Sequence, residues 1–87
     1  MAKKHFKTVQ RLLLLERLRK GACTTFEARH QLDIIGVAPR IFELRHHEGF
    51  NIQTHWSYDV NPGGGRHRIA SYVLIPGRWK GGKENVL

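Results

Sequence analysis

The hydrophobic period of this chain changes once, at Gly49, and that change orders everything else. Before it, apolar residues recur at helical spacing; after it, they alternate as in strands. Ile52, Thr54, Trp56 and Tyr58 sit two apart. Ile69, Ser71, Val73 and Ile75 form one face of a second run, with Ala70, Tyr72 and Leu74 on the other. Between the runs lie Asn61-Pro62-Gly63-Gly64-Gly65, which suit a hairpin tip and not a ladder. Helices come first and one hairpin follows.

The helical half divides at its own punctuation. A first helix is expected from about Thr8 to Lys20, after a basic, loosely ordered lead-in at residues 1–7. Leu12, Leu14, Leu15 and Leu18 fall on one broad apolar face. Leu13 points away, as a surface leucine or a dimer contact. Arg17, Arg19 and Lys20 suit the carbonyl end of the helix dipole, and Gly21 stops it. Thr24 with Glu27 has capping-box spacing, so a second helix starts there and runs to about Leu32. Ala28 is small enough for a close helix crossing. Asp33-Ile34-Ile35-Gly36 makes the turn, with Ile34 beneath it. Pro39 is tolerated only in a first turn, which starts the third helix near Gly36. That helix runs from about Val37 to His47, with Val37, Ile41 and Leu44 inward and Gly49 as its stop. Three helices and then a hairpin is the winged-helix order.

Composition narrows the partner. The 87 residues carry 15 Lys and Arg against 7 Asp and Glu, a formal charge of +8. That excess favours a polyanion through phosphate contacts and counterion release, although a merely soluble basic protein has the same balance. The longest apolar run, Leu12 to Leu15, falls far short of the ~20 residues that span a bilayer. No apolar signal core follows the early lysines. The single Cys23 excludes an internal disulfide, reads as an inert core thiol and fits a reducing cytoplasm. One domain is expected over residues 8–75, with a flexible basic tail at 76–87.

With its apolar side inward, the third helix should present Pro39, Glu43 and His46 to solvent. Arg40 and His47 flank them on one edge, and Phe42 on the other. Arg40 can read guanine O6 and N7, Glu43 can accept from cytosine N4, and Phe42 can press on a thymine methyl. The plainer alternative pairs Arg40 with Glu43 at i, i+3. Arg45 can bind a phosphate or pack its stem under the hairpin. Arg66, His67 and Arg68 beside the tip can follow a backbone or enter a minor groove. Lys3, Lys4, Lys7, Arg78, Lys80 and Lys83 add salt-sensitive grip or serve as solubilising ends. Trp56, Tyr58 and Tyr72 can stack bases, but their alternation fits a packed sheet better.

Other chemistries find little support. His46 and His47 diverge by roughly 100° on a helix, and only Cys23 and His30 accompany them, so no metal is expected. The triple glycine lacks the Gly-Lys-Ser/Thr ending of a nucleotide loop. Carboxylates are sparse, and Ser57 and Ser71 lie in no nucleophile motif, so no enzyme and no cofactor are expected.

Leu14-Leu15 with Leu18, Gly21, Thr24 with Glu27-Ala28, Leu32 with Ile34, Arg40-Ile41, Glu43-Leu44-Arg45, Gly49, Ile52 with Thr54, and Tyr72 with Leu74 together form a pattern. Over residues 9 to 75 it resembles the small helix-turn-helix domain proteins of bacteriophages and prophages. The resemblance implies an α+β winged helix-turn-helix, three helices followed by a two- to three-stranded antiparallel β-hairpin wing. It implies a DNA-binding, phage-type regulator, and the expectation is a sequence-specific double-stranded DNA-binding transcriptional regulator or excisionase-like factor in a bacterial host cytoplasm, as a homodimer or a cooperative assembly on DNA. Pro39 departs from the family pattern, and the segment from Trp56 to Arg68 is longer than its usual hairpin. The rival expectation is a protein-interaction module, for example a phage inhibitor of a host protein, with Phe42, Glu43 and the prolyl turn as its patch.

Overall fold

Residues 2–60 and 62–80 are described by the computed structural model, with side chains from Phe6 onward. Helix α1 spans Ala2–Arg19 and so begins well before Thr8. Nothing between Ala2 and Lys7 breaks a helix, and alanine and lysine are good formers. The early start has no sequence marker because its first turn holds no acidic residue to suit the dipole. Among the described side chains of α1, Gln10, Leu14, Leu15 and Leu18 are buried. Leu12, expected inside, is 57% exposed. It lies on the far side of the helix from Leu14, and the core covers one side only.

Gly21 turns the chain into β1, Cys23–Thr24, a two-residue strand with no periodicity to betray it. Thr24 then caps α2, Thr25–Leu32. Its hydroxyl accepts from the Glu27 amide at 3.0 Å, and the Glu27 carboxylate accepts from the Thr24 amide at 3.0 Å. Asp33 ends α2 in the left-handed region at φ 57°. Ile34 drops into the core beneath the turn, while Ile35 stays in solvent. Helix α3, Val37–His46, carries Pro39 in its first turn, where a missing N–H costs nothing. Gly49 follows at φ +81°, a conformation that would strain any β-carbon.

Strands β2, Phe50–Val60, and β3, Arg66–Arg78, pair antiparallel, and β1 adds to the other edge of β3, giving the order β1-β3-β2. Cys23 lies opposite Tyr72, Ile52 opposite Leu74, and Val60 opposite Arg66. Leu14, Leu18, Cys23, Ala28, Ile34, Val37, Ile41, Leu44, Ile52, Ala70 and Tyr72 make one core between the helices and one sheet face. Burial pushes the Cys23 thiol pKa up, as an inert core thiol requires.

The pattern does not dissolve at Pro76. Strand β3 continues to Arg78, with Arg78 opposite Phe50 and an irregularity between Phe50 and Ile52. The Trp79 amide then donates to the Gly49 carbonyl at 2.9 Å. Residues 76–79 thus belong to the folded body; Lys83 and the last part of the expected tail lie outside the described residues. No described helix is long and apolar enough to cross a membrane.

Candidate nucleic-acid interface

The open side of α3 differs from the one expected. Arg40 is only 8% exposed. Its guanidinium donates to Gln10 Oε1 at 3.3 Å and to Glu43 Oε2 at 3.0 Å. Its Nε lies 2.9 Å from Glu43 Oε1, an ion pair without hydrogen-bond alignment. Arg11 completes the cluster, donating to Glu43 Oε1 at 2.7 Å. The cause is the position of α1, whose Gln10 and Arg11 occupy the edge of α3 where Arg40 and Glu43 were to face DNA. Arg40 and Glu43 therefore clamp two helices together and are withdrawn as base readers.

This cluster has a pH signature. Burial opposes ionisation of Glu43, but hydrogen bonds from Arg11 and Arg40 outweigh it and hold the carboxyl below its ordinary range. A depressed carboxylate pKa stabilises the fold above the unfolded value. The contribution is lost as pH falls through the folded value. Stability should therefore decline from about pH 5 downward, and Glu43→Gln should be less stable at neutrality with a flatter acid limb. Urea midpoints of both chains between pH 7 and 3 measure this; parallel curves would exclude the ion cluster as the source.

Arg45 also turns inward. It is 6% exposed, its Nε donates to the Ile52 carbonyl at 2.7 Å, and its guanidinium reaches Thr54 Oγ1. The same guanidinium lies 4.5 Å from the Trp79 ring centre. The stem-packing alternative for Arg45 is the one observed, and its phosphate role is withdrawn.

What α3 leaves in solvent is Ala38, Pro39, Phe42 and His46, with His47 just past the helix end. Phe42 is half exposed and stacks on His46, ring centres 4.2 Å apart. Helix α2 repeats the device with Phe26 and His30 at 4.1 Å. Such i, i+4 ring pairs hold one another in place on an open helix surface.

The hairpin is the second wall. His55 to Val60 and Pro62 to Arg68 are all exposed apart from Asn61, which is not described. At ~3.3 Å per residue the arm projects roughly 17–20 Å past the core. Trp56 and Tyr58 were expected to pack in the sheet; they are 38% and 59% exposed, because the strands outrun the helices that cover them. Only Tyr72 of the three ring residues is buried. Arg68 lies 4.1 Å over Trp56, and Arg66 lies 4.7 Å over Tyr58. These residues share the sheet face that packs on the helices further down, since side chains alternate along each strand. Counting registers back from the tip pairs Tyr58 with Arg68, the one sequence signal that could have revealed this ladder.

Between α2, the first turn of α3 and the arm lies a cleft of about 960 Å³. Phe26, Glu27 and Arg29 line it from α2, Ala38 from α3, and Trp56, Asp59, His67 and Arg68 from the arm, so it holds two carboxylates as well as two guanidiniums. Arg66, His67 and Arg68 are therefore exposed where expected, with His67 and Arg68 beside a helix surface. Lys7, Arg78 and Lys80 are exposed on other parts of the body, and the side chains of Lys3 and Lys4 lie outside the described residues. Ala38 and Arg29 were not anticipated.

A family model described as a winged helix-turn-helix domain matches residues 9–76. No curated protein and no solved structure matches the chain.

Proposed function

The chain belongs to the winged helix-turn-helix domain family, and from that membership, its charge of +8 and the cleft between α3 and the arm we propose that it binds double-stranded DNA sequence-specifically. Helix α3 enters the major groove, and the arm follows the backbone or the adjacent minor groove. The observation that carries this is the shared cleft: Ala38 of α3 and Arg68 of the arm line one concavity on a chain of charge +8. In a phage-type setting the role is transcriptional control or excisionase-like architecture, with copies cooperating on DNA inside a bacterial cytoplasm.

Loss of Arg40 and Glu43 from the reading face changes the code. Ala38, Phe42 and Pro39 offer apolar contact suited to thymine methyl groups, while His46 supplies a ring nitrogen. Selection from a random duplex pool should yield sites with thymines opposite α3. Replacing those thymines with uracil removes only the methyls, and each should cost about 1 kcal/mol. Phe42→Ala should abolish that difference. Equal affinity for thymine and uracil sites with the native chain would remove Phe42 from the readout.

A second reading has one observation behind it. The apolar character of Ala38, Pro39 and Phe42 also suits docking to a protein, such as a host factor. Absence of duplex binding at low salt would favour it.

A further inference from the structure

Phosphate binding needs only cations, yet the arm interleaves its cations with rings. On one face the order is Trp56, Arg68, Tyr58, Arg66, Val60. Val60 at the far end is 60% exposed, so the strip is open to the tip. Arg68 and Arg66 each lie over one face of a ring, yet Trp56 and Tyr58 keep 38% and 59% of their surface in solvent. We propose that this ladder is a stacking platform for unpaired DNA bases, so that the protein engages single-stranded DNA along the arm as well as duplex at α3. The proposal rests on the DNA-binding reading and extends it to a substrate class.

Three features favour that occupant. Every base has a π face, so rings accept any sequence, and guanidinium planes stack bases as well. Ring platforms two residues apart on a strand lie about 6.7 Å from each other, so successive bases of one strand can meet successive platforms. The guanidiniums of Arg66 and Arg68 supply positive charge for the accompanying phosphates. An acidic occupant is needed to balance that charge, and a flat polar-rimmed one to cover the rings. A single nucleic-acid strand is both. Asp59, the one acidic residue on the arm, alternates with its register partner His67 onto the other sheet face from the ladder, and both also line the cleft.

The test uses the full chain and a labelled oligo(dT) of about 12 nucleotides, the span expected for one small domain. A mixed-sequence duplex of equal length runs alongside, and both are followed by anisotropy. In the Trp79→Phe background Trp56 becomes the sole tryptophan, since the chain has two. Its fluorescence should be quenched by oligo(dT). Tyr58→Leu should weaken oligo(dT) binding about tenfold and duplex binding less than threefold, while Trp56→Leu, whose ring lines the cleft, should weaken both. Both positions lie outside the core, so circular dichroism should be unchanged. Duplex binding without oligo(dT) binding or quenching would overturn the platform while leaving the duplex reading intact. So would equal losses on both ligands in Tyr58→Leu. Tighter binding to oligo(rU) than to oligo(dT) would overturn the assignment to DNA. Failure to bind any of the three would sink the duplex reading itself.

Discussion

Replacing Arg66 and Arg68 together with alanine is expected to weaken binding to every duplex by at least about tenfold. The slope of log affinity against log salt should become shallower by about 2, because each phosphate contact that forms releases about 0.9 of a counterion and two such contacts are lost. Matched and scrambled sites should lose affinity equally, since backbone contacts carry no sequence information. Both side chains stand on the arm beyond the core, so thermal unfolding should be almost unmoved. Unequal loss, concentrated on the matched site, would make the arm a base reader. An unchanged salt slope would mean that the guanidiniums serve only the rings beneath them.

Arg45→Ala should have the opposite profile. The guanidinium is buried, bonded to the Ile52 carbonyl and to Thr54, and stacked on Trp79. Alanine strands two acceptors and frees the ring. The expected loss is about 3 kcal/mol, from charge-assisted hydrogen bonds and the cation–π contact. For a domain of this size that lowers Tm by roughly 12–24 °C. Arg45→Lys should rescue little, because a single ammonium cannot bridge both acceptors while lying flat on an indole. Normal Tm with weakened DNA binding would restore Arg45 to the phosphate contacts.

Arg40 and Arg45 mark where a linear reading stops. Helical periodicity placed Val37, Ile41 and Leu44 inside, and all three are buried. Periodicity measures angle around one helix, however, and cannot say which edge a neighbour covers. Helix α1 took the Arg40 edge, guided by Gln10, a polar residue that reads as surface in isolation and is buried. Arg45 followed the same logic, drawn in by the Ile52 carbonyl and the Thr54 hydroxyl of β2. Local signals fared better. Thr24 and Glu27 form both bonds of the capping box within four residues, and Gly49 adopts its left-handed turn, because neither depends on distant packing.

The sheet was legible in kind and misread in extent. Alternation announced two strands, and the glycines announced the turn. The two-residue β1 was too short to have a period. Alternation also suggested that Trp56 and Tyr58 were packed, but it cannot report where the covering layer ends. Pro76 and Gly77 read as breakers, yet they lie at the end of a strand, where a missing donor and an irregular register are tolerated. Trp79 then docks beside Arg45, a tertiary contact with no local precursor.

Affinity for a duplex selected from a random pool, and for its scrambled counterpart, should be titrated across a salt series with the unaltered chain. Specific DNA recognition requires a Kd of ~10⁻⁸ M on the selected site, at least about a thousandfold preference over the scrambled one, and steep weakening with salt on both. Equal affinity for the two sequences would reduce the protein to a non-specific polycation. No measurable binding to either at low salt would contradict DNA as the partner of α3.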